Sequence, residues 1–226
     1  MLVVSVYAYS QAPGDSTFSI LINSGVGFTH ANDPHINRWL AKYGYPTEPH
    51  VPSSINFEIA ATPVASSLMY SIKLSSINSG HNLSSFNLMA GLYNALVKSR
   101  SFLLYVGAGV GYHSDIITLN GELPSDYRLL ADQVNKQLSL HRIGLIFEPA
   151  ARAFWFPISC HQVQLGLFAG LGFDMDFNTA WRLGYYDNNH GVYGRFKKLK
   201  KPADQQRVSE YGLAYNLGLS LRINLR

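Results

Sequence analysis

The feature that most restricts this chain is its last stretch, residues 209–225, SEYGLAYNLGLSLRINL. Its odd positions carry Tyr211, Leu213, Tyr215, Leu217, Leu219, Leu221, Ile223 and Leu225. Its even positions carry Glu210, Gly212, Ala214, Asn216, Gly218, Ser220, Arg222 and Asn224. Alternation this strict belongs to an extended strand, whose successive side chains point to opposite faces. It also outlasts the roughly five or six residues of an ordinary strand. A soluble sheet would turn the apolar face inward; a membrane barrel turns that face to lipid and fills its lumen with the small and polar one.

The same two-faced pattern recurs at residues 18–29, 55–62, 67–77, 85–97, 102–116, 141–156 and 162–176, so eight strands are predicted. The connections alternate: long or medium after the first, third, fifth and seventh strands, tight after the second, fourth and sixth. Long loops on one rim and short turns on the other are the plan of an up-and-down membrane barrel, and an even strand number fits it. Within the long loops, Asp33-Pro34 and Gly44 bracket a short helix over 34–43, and Ser125 opens another over 125–137. Pro149 falls inside the sixth strand, where its missing N–H predicts a bulge or bend; residues 157–161 read as a turn. The expected fold is all-β: an eight-stranded antiparallel up-and-down transmembrane β-barrel with short helices in the long loops.

Composition supports a membrane setting. Only 14% of residues are charged, against roughly 25% in a typical soluble protein. No run of about 18 apolar residues exists, so no transmembrane helix is predicted. Barrels escape such scans because every second residue is polar. The net charge of +4 is concentrated in Arg195, Lys197, Lys198, Lys200 and Lys201; the remainder is nearly balanced, which argues against a nucleic-acid partner. The single cysteine, Cys160, permits no intramolecular disulfide and no cysteine-based zinc site, and reads as a small filler. Residues 1–12, MLVVSVYAYSQA, run from apolar to small and end in a Ser-Gln-Ala cleavage-like triplet. They read as the remnant of a secretory signal peptide, leaving 13–226 as one barrel domain.

The charges decide which face is inside. Glu58, Lys73, Arg142, Glu148, Arg152, Asp174, Asp176, Glu210 and Arg222 all fall on the small-residue face, and the other face carries essentially none. A charge facing lipid at mid-bilayer costs roughly 2–4 kcal/mol. Near-balanced charges in a narrow lumen can pair instead. For eight strands, whose interior side chains already fill, a solid salt-bridged core is expected rather than a pore. A soluble lipocalin-like barrel would invert the pattern.

On these residues the chain resembles the small outer-membrane β-barrel proteins of Gram-negative bacteria, the OmpA-like eight-stranded group. The stretch from Gly25-Val-Gly-Phe28 through Ile36-Asn-Arg-Trp39-Leu40-Ala-Lys-Tyr43-Gly44 is similar to uncharacterised barrels of Bacteroidota. The resemblance implies an integral outer-membrane location. Such barrels commonly end in an aromatic residue; this chain ends Ile223-Asn-Leu225-Arg226, a departure from the assembly signal.

No complete catalytic set emerges. Asp174 and Asp176 point inward near the loop rim, where paired carboxylates can share a proton or activate water, as in some barrel proteases; pairing with lumen arginines is the simpler role. His113-Ser114-Asp115 evokes a barrel lipid A deacylase, but adjacent strand residues face opposite ways, so His113 and Ser114 do not meet. His30, His35, His50 and His81 share the loop rim without metal-ligand spacing, and neither a metal nor a cofactor is expected. The run Arg195–Lys201 can meet lipopolysaccharide phosphates from a long outer loop. The helix face of Ile36, Trp39, Leu40 and Tyr43 packs over the barrel mouth or meets a protein partner at that rim. These observations favour a non-enzymatic outer-membrane barrel with a structural or surface-interaction role and lipid partners. A barrel enzyme acting on lipid A or peptides and a narrow small-solute channel are the alternatives.

Overall fold

A computed structural model describes residues 18–31, 34–45, 53–79, 83–119, 137–160, 162–177, 181–187, 192–195 and 211–225. The strands are β1 (Phe18–Ala31), β2 (Ser53–Pro63), β3 (Leu68–Ser79), β4 (Leu83–Lys98), β5 (Phe102–Thr118), β6 (Gln137–Cys160), β7 (Val163–Phe177), β8 (Arg182–Asp187), β9 (Val192–Arg195) and β10 (Tyr211–Leu225). One helix, α1 (Pro34–Lys42), lies among the described residues. The wall runs β5-β4-β3-β2-β1-β10-β7-β6, and the β5–β6 pairing closes it into an eight-stranded antiparallel barrel. The first and last strands seal against one another from Phe18↔Leu225 to Ala31↔Gly212.

Burial follows the alternation. In β2 outward Ile55, Phe57 and Ile59 are exposed while Asn56, Glu58 and Ala60 are buried. In β10 Leu213, Leu217 and Leu219 point out, against buried Ala214, Asn216 and Ser220. The outer surface between the rims is thus an apolar belt, and the interior holds the charges. This is the inside-out arrangement that lipid stabilises and water does not. No helix among the described residues is long and apolar enough to cross a membrane; strands are the crossing elements.

Several local expectations are corrected. Pro149 causes no bulge. Its pairing with Ala108 of β5 is kept, and on the β7 side two pairs are lost while Phe147↔Met175 and Ala150↔Gly172 stay in one register. The register shift falls instead between Trp155 and Ile158, around Pro157, which continues β6 rather than starting a turn. Strand also replaces parts of the long loops. Thr118 and Ser139 pair across the barrel closure, and β8 and β9 form a hairpin inside residues 177–208. β8 runs beside the first residues of β6, from Gln137↔Tyr186 to His141↔Arg182, as an extension of the β7 side of the wall. The helix expected over 125–137 lies outside the described residues except for Gln137, which opens β6. Cys160 is exposed at the turn end of β6 and fills no core. Residues 1–12 also lie outside the described residues.

α1 ends as expected at Gly44, whose φ of 75° only glycine adopts without strain. The Tyr45 amide then closes back on the Leu40 carbonyl at 2.9 Å.

Candidate functional site

The lumen is layered. Nearest the short turns, inward residues of the wall strands make an apolar plug: Leu21, Met69, Leu103, Tyr105, Phe154, Phe156 and Phe168. Phe154 is 0% exposed and meets Tyr105 edge-on at 6.2 Å between ring centroids and Phe156 in a stack at 6.4 Å. Such offset and edge contacts are favoured aromatic geometries.

Above the plug sits an ion-pair layer. Arg152 on β6 pairs with Glu58 on β2, and its Nη2 donates to Glu148 Oε1 at 3.1 Å and to the Tyr93 hydroxyl at 2.8 Å. Its guanidinium also lies 4.6 Å from the Tyr93 ring centroid. Lys73 Nζ on β3 donates to Glu148 Oε2 at 2.6 Å. Asn23 Nδ2 donates to Glu58 Oε2 at 3.1 Å, and Ser220 donates to Asn23 Oδ1 at 2.6 Å. One network therefore joins β10, β1, β2, β3, β4 and β6 across the lumen. Gly172 leaves room for it: a Cβ there would stand 2.8 Å from Glu148 Cγ. Pairing of opposite charges is what makes such a layer stable, since a lone buried ion costs several kcal/mol; among the described residues only the Arg152 Nε–H is left without an acceptor in it.

Toward the loops lies a small polar cavity lined by Asn56, Lys73, Asn87, Glu148, Asp174 and Asn216, among others. Asn56 Nδ2 donates to Asn216 Oδ1 across it at 2.6 Å. Higher still, Arg142 Nε donates to Asp115 Oδ2 at 2.6 Å, and its guanidinium lies 4.9 Å from the Trp181 ring. His113 faces Gly144 on β6, which has no side chain. The imidazole reaches over that strand to β7, with Nδ1 3.3 Å from Asp176 Oδ1.

The loop mouth is closed by a second apolar cluster: Leu40 and Tyr45 from α1 and its exit, Leu83, Ile117, Leu119, Leu138, Leu140 and Leu183. Leu40 is 0% exposed. Of the expected helix face, Leu40 and Tyr43 pack here; the side chains of Ile36 and Trp39 lie outside the described residues.

The structure thus brings together Glu58, Lys73, Glu148 and Arg152, and Asp174 joins them through a side-chain hydrogen bond to Glu148 while lining the cavity. Arg142 and Asp176 lie in the upper layer. Arg222 stands apart at the turn end, contrary to its expected membership in the network. Glu210, Lys197, Lys198, Lys200 and Lys201 lie outside the described residues, as does the Arg195 side chain. Tyr93 and Asn23 are members the sequence reading did not place in the network, and Asp115, Asn56 and Asn216 are inward polar residues of the layers above it that it did not place either. Parity would have found them: Asp115 shares the inward face with His113, as Asn23 does with Leu21. Ser139 and His141 share a 2.7 Å hydrogen bond on β6, but Ser139 is fully buried and presents no nucleophile. Among the described residues no group of three or more histidine, cysteine or carboxylate side chains is arranged to hold a metal.

Apolar belt, charged lumen and alternating loops together define an integral β-barrel of the outer-membrane type. The chain is similar to the solved major outer membrane protein of Thermus thermophilus, with a TM-score of 0.54 at 13% identity, covering 91% of this chain and 99% of that one. It also matches neisserial surface protein A, with a TM-score of 0.45 at 9% identity over 92% and 97% of the two chains. At such identities the likeness is one of fold. No protein-family model matches the sequence, and no curated protein sequence does either.

Proposed function

We propose that this protein is a non-conducting outer-membrane barrel with a structural or surface-interaction role, its lumen a strut rather than a passage. The observation that carries this reading is the double closure. An aromatic plug lies at the turn end and an aliphatic one at the loop mouth, with a cross-strand ion network between them. An ion entering either end would have to shed water against apolar side chains. The burial of His113 and the apolar cluster over the loop mouth argue against catalysis by Asp174, Asp176 or His113. Contact with lipopolysaccharide phosphates or another surface anion is supported by the outer rim, where Arg38 and Lys42 on α1 and Arg182 on β8 are exposed. Planar-bilayer recording tests the central claim. The purified barrel should insert without unitary current, and a stable conductance altered by substituting Arg142 or Arg152 would overturn it.

A further inference from the structure

Among the described residues the turn-side floor of the lumen holds a charge with no opposite charge beside it. Arg222 on β10 is 4% exposed. Among the described residues its hydrogen bonds go to neutral oxygens, Gln164 Oε1 at 3.3 Å and Ser19 Oγ at 3.4 Å. Both are long beside the roughly 2.7–2.9 Å of a charge-assisted bond. Its Nε–H has no acceptor. Tyr105, close enough to feel the Arg222 charge, has a buried hydroxyl with Thr62 as its hydrogen-bonding neighbour and no other partner among the described residues.

A second cation reinforces the field. The register shift between Ala95 and Val97 turns Lys98 to pair with inward Leu103, so its ammonium reaches the floor instead of lipid. There it donates to the carbonyls of Pro63, Val64 and Ser66 at 2.7–3.2 Å. Those bonds use all three of its protons and leave its charge uncompensated. Among the described residues no carboxylate pairs with Arg222 or Lys98.

A guanidinium N–H without an acceptor and a hydroxyl that meets only Thr62, in the field of two positive charges, favour an acceptor that carries negative charge. We propose that the floor of the barrel binds one small anion, a halide or a carboxylate group, between Arg222 Nε and the Tyr105 hydroxyl. It enters from the turn side, where Lys98 and Asn224 are partly exposed, and the apolar plug, to which Tyr105 itself belongs, stops it from going further.

The test uses the ¹⁵N-labelled barrel in a zwitterionic detergent, in sodium gluconate, whose anion is too bulky to enter. Chloride or acetate replaces gluconate at constant ionic strength. The Arg222 Nε–H resonance should shift saturably and the urea midpoint should rise. A response to chloride alone identifies a halide site, and one to acetate alone a carboxylate site. Tyr105→Phe should weaken binding about fivefold, as expected for one lost hydrogen bond, and Arg222→Met should abolish it. Identical resonances and midpoints in all three salts, as a bound water would give, overturn the proposal. So does a midpoint gain that survives Arg222→Met. The resonance titration needs no variant, so it decides the matter even if a substitution prevents folding.

Discussion

Arg152 and Arg222 are buried alike, at 4% exposure each, in one lumen and on strands two apart in the wall. Each leaves its Nε–H without an acceptor among the described residues, and what differs is the charge around them. Arg152 touches two carboxylates and a tyrosine; Arg222 touches two neutral oxygens. Among the described residues every inward acid lies at or above the Arg152 layer: Glu58, Asp115, Glu148, Asp174 and Asp176. Of the described charged residues the floor holds Lys98 and Arg222. Charges that nearly balance over the chain are therefore segregated along the barrel axis, and a count cannot reveal this because it ignores which charges can meet.

The largest expected effect comes from the partnered arginine. Arg152→Met leaves Glu58 without its cation and Glu148 with Lys73 alone. Breaking a buried pair on one side typically costs about 3–5 kcal/mol, and urea unfolding of the vesicle-inserted barrel should show a loss of that order. A loss under about 1 kcal/mol would mean the network is not a strut.

The two apolar closures extend the contrast. Phe154→Ala hollows a plug built wholly from wall strands, and should cost about 3–5 kcal/mol of global stability. Leu40→Ala opens a cluster whose members come from α1, β8 and the strand ends above the wall. There the loss should be nearer 2 kcal/mol and local. Hydrogen exchange should speed up at residues 117–119, 138–140 and 183 while the wall amides of β1, β7 and β10 keep their protection. If both variants loosen the whole barrel equally, the mouth is part of the wall and not an attachment.

This difference also explains what could be read from the residues alone. The wall and the plug follow from a period of two, which each strand carries by itself; Leu21 and Phe154 are inward by parity. The bulges escape such reading, since nothing local marks Leu96 as the extra residue that turns Lys98 inward. Pro149 misled for a related reason. A proline removes one donor, but β5 still holds the strand on its other side, so register survives. The mouth cluster joins Leu40, Leu83, Leu140 and Leu183, which no period connects. Arg222 was inward by parity, but only the closed barrel shows that no acid among the described residues shares its level.

The smallest effect, and the one that separates the two arginines most sharply, is Arg222→Met in gluconate. Removing an unpartnered guanidinium leaves no opposite charge behind. A well-packed apolar replacement of a poorly compensated ion is often neutral or stabilising, so the urea midpoint should move by less than about 1 kcal/mol or rise. In chloride or acetate the order reverses. A ligand at a hundredfold excess over its dissociation constant adds about 2.7 kcal/mol to the form that binds it, and only the wild type would gain. The same substitution should thus be harmless in one salt and costly in another, whereas Arg152→Met should be costly in all. Were Arg222→Met to cost about as much as Arg152→Met in gluconate itself, the guanidinium would owe its place to contacts with Gln164 and Ser19, and the segregation of charge along the lumen would have no bearing on what the floor binds.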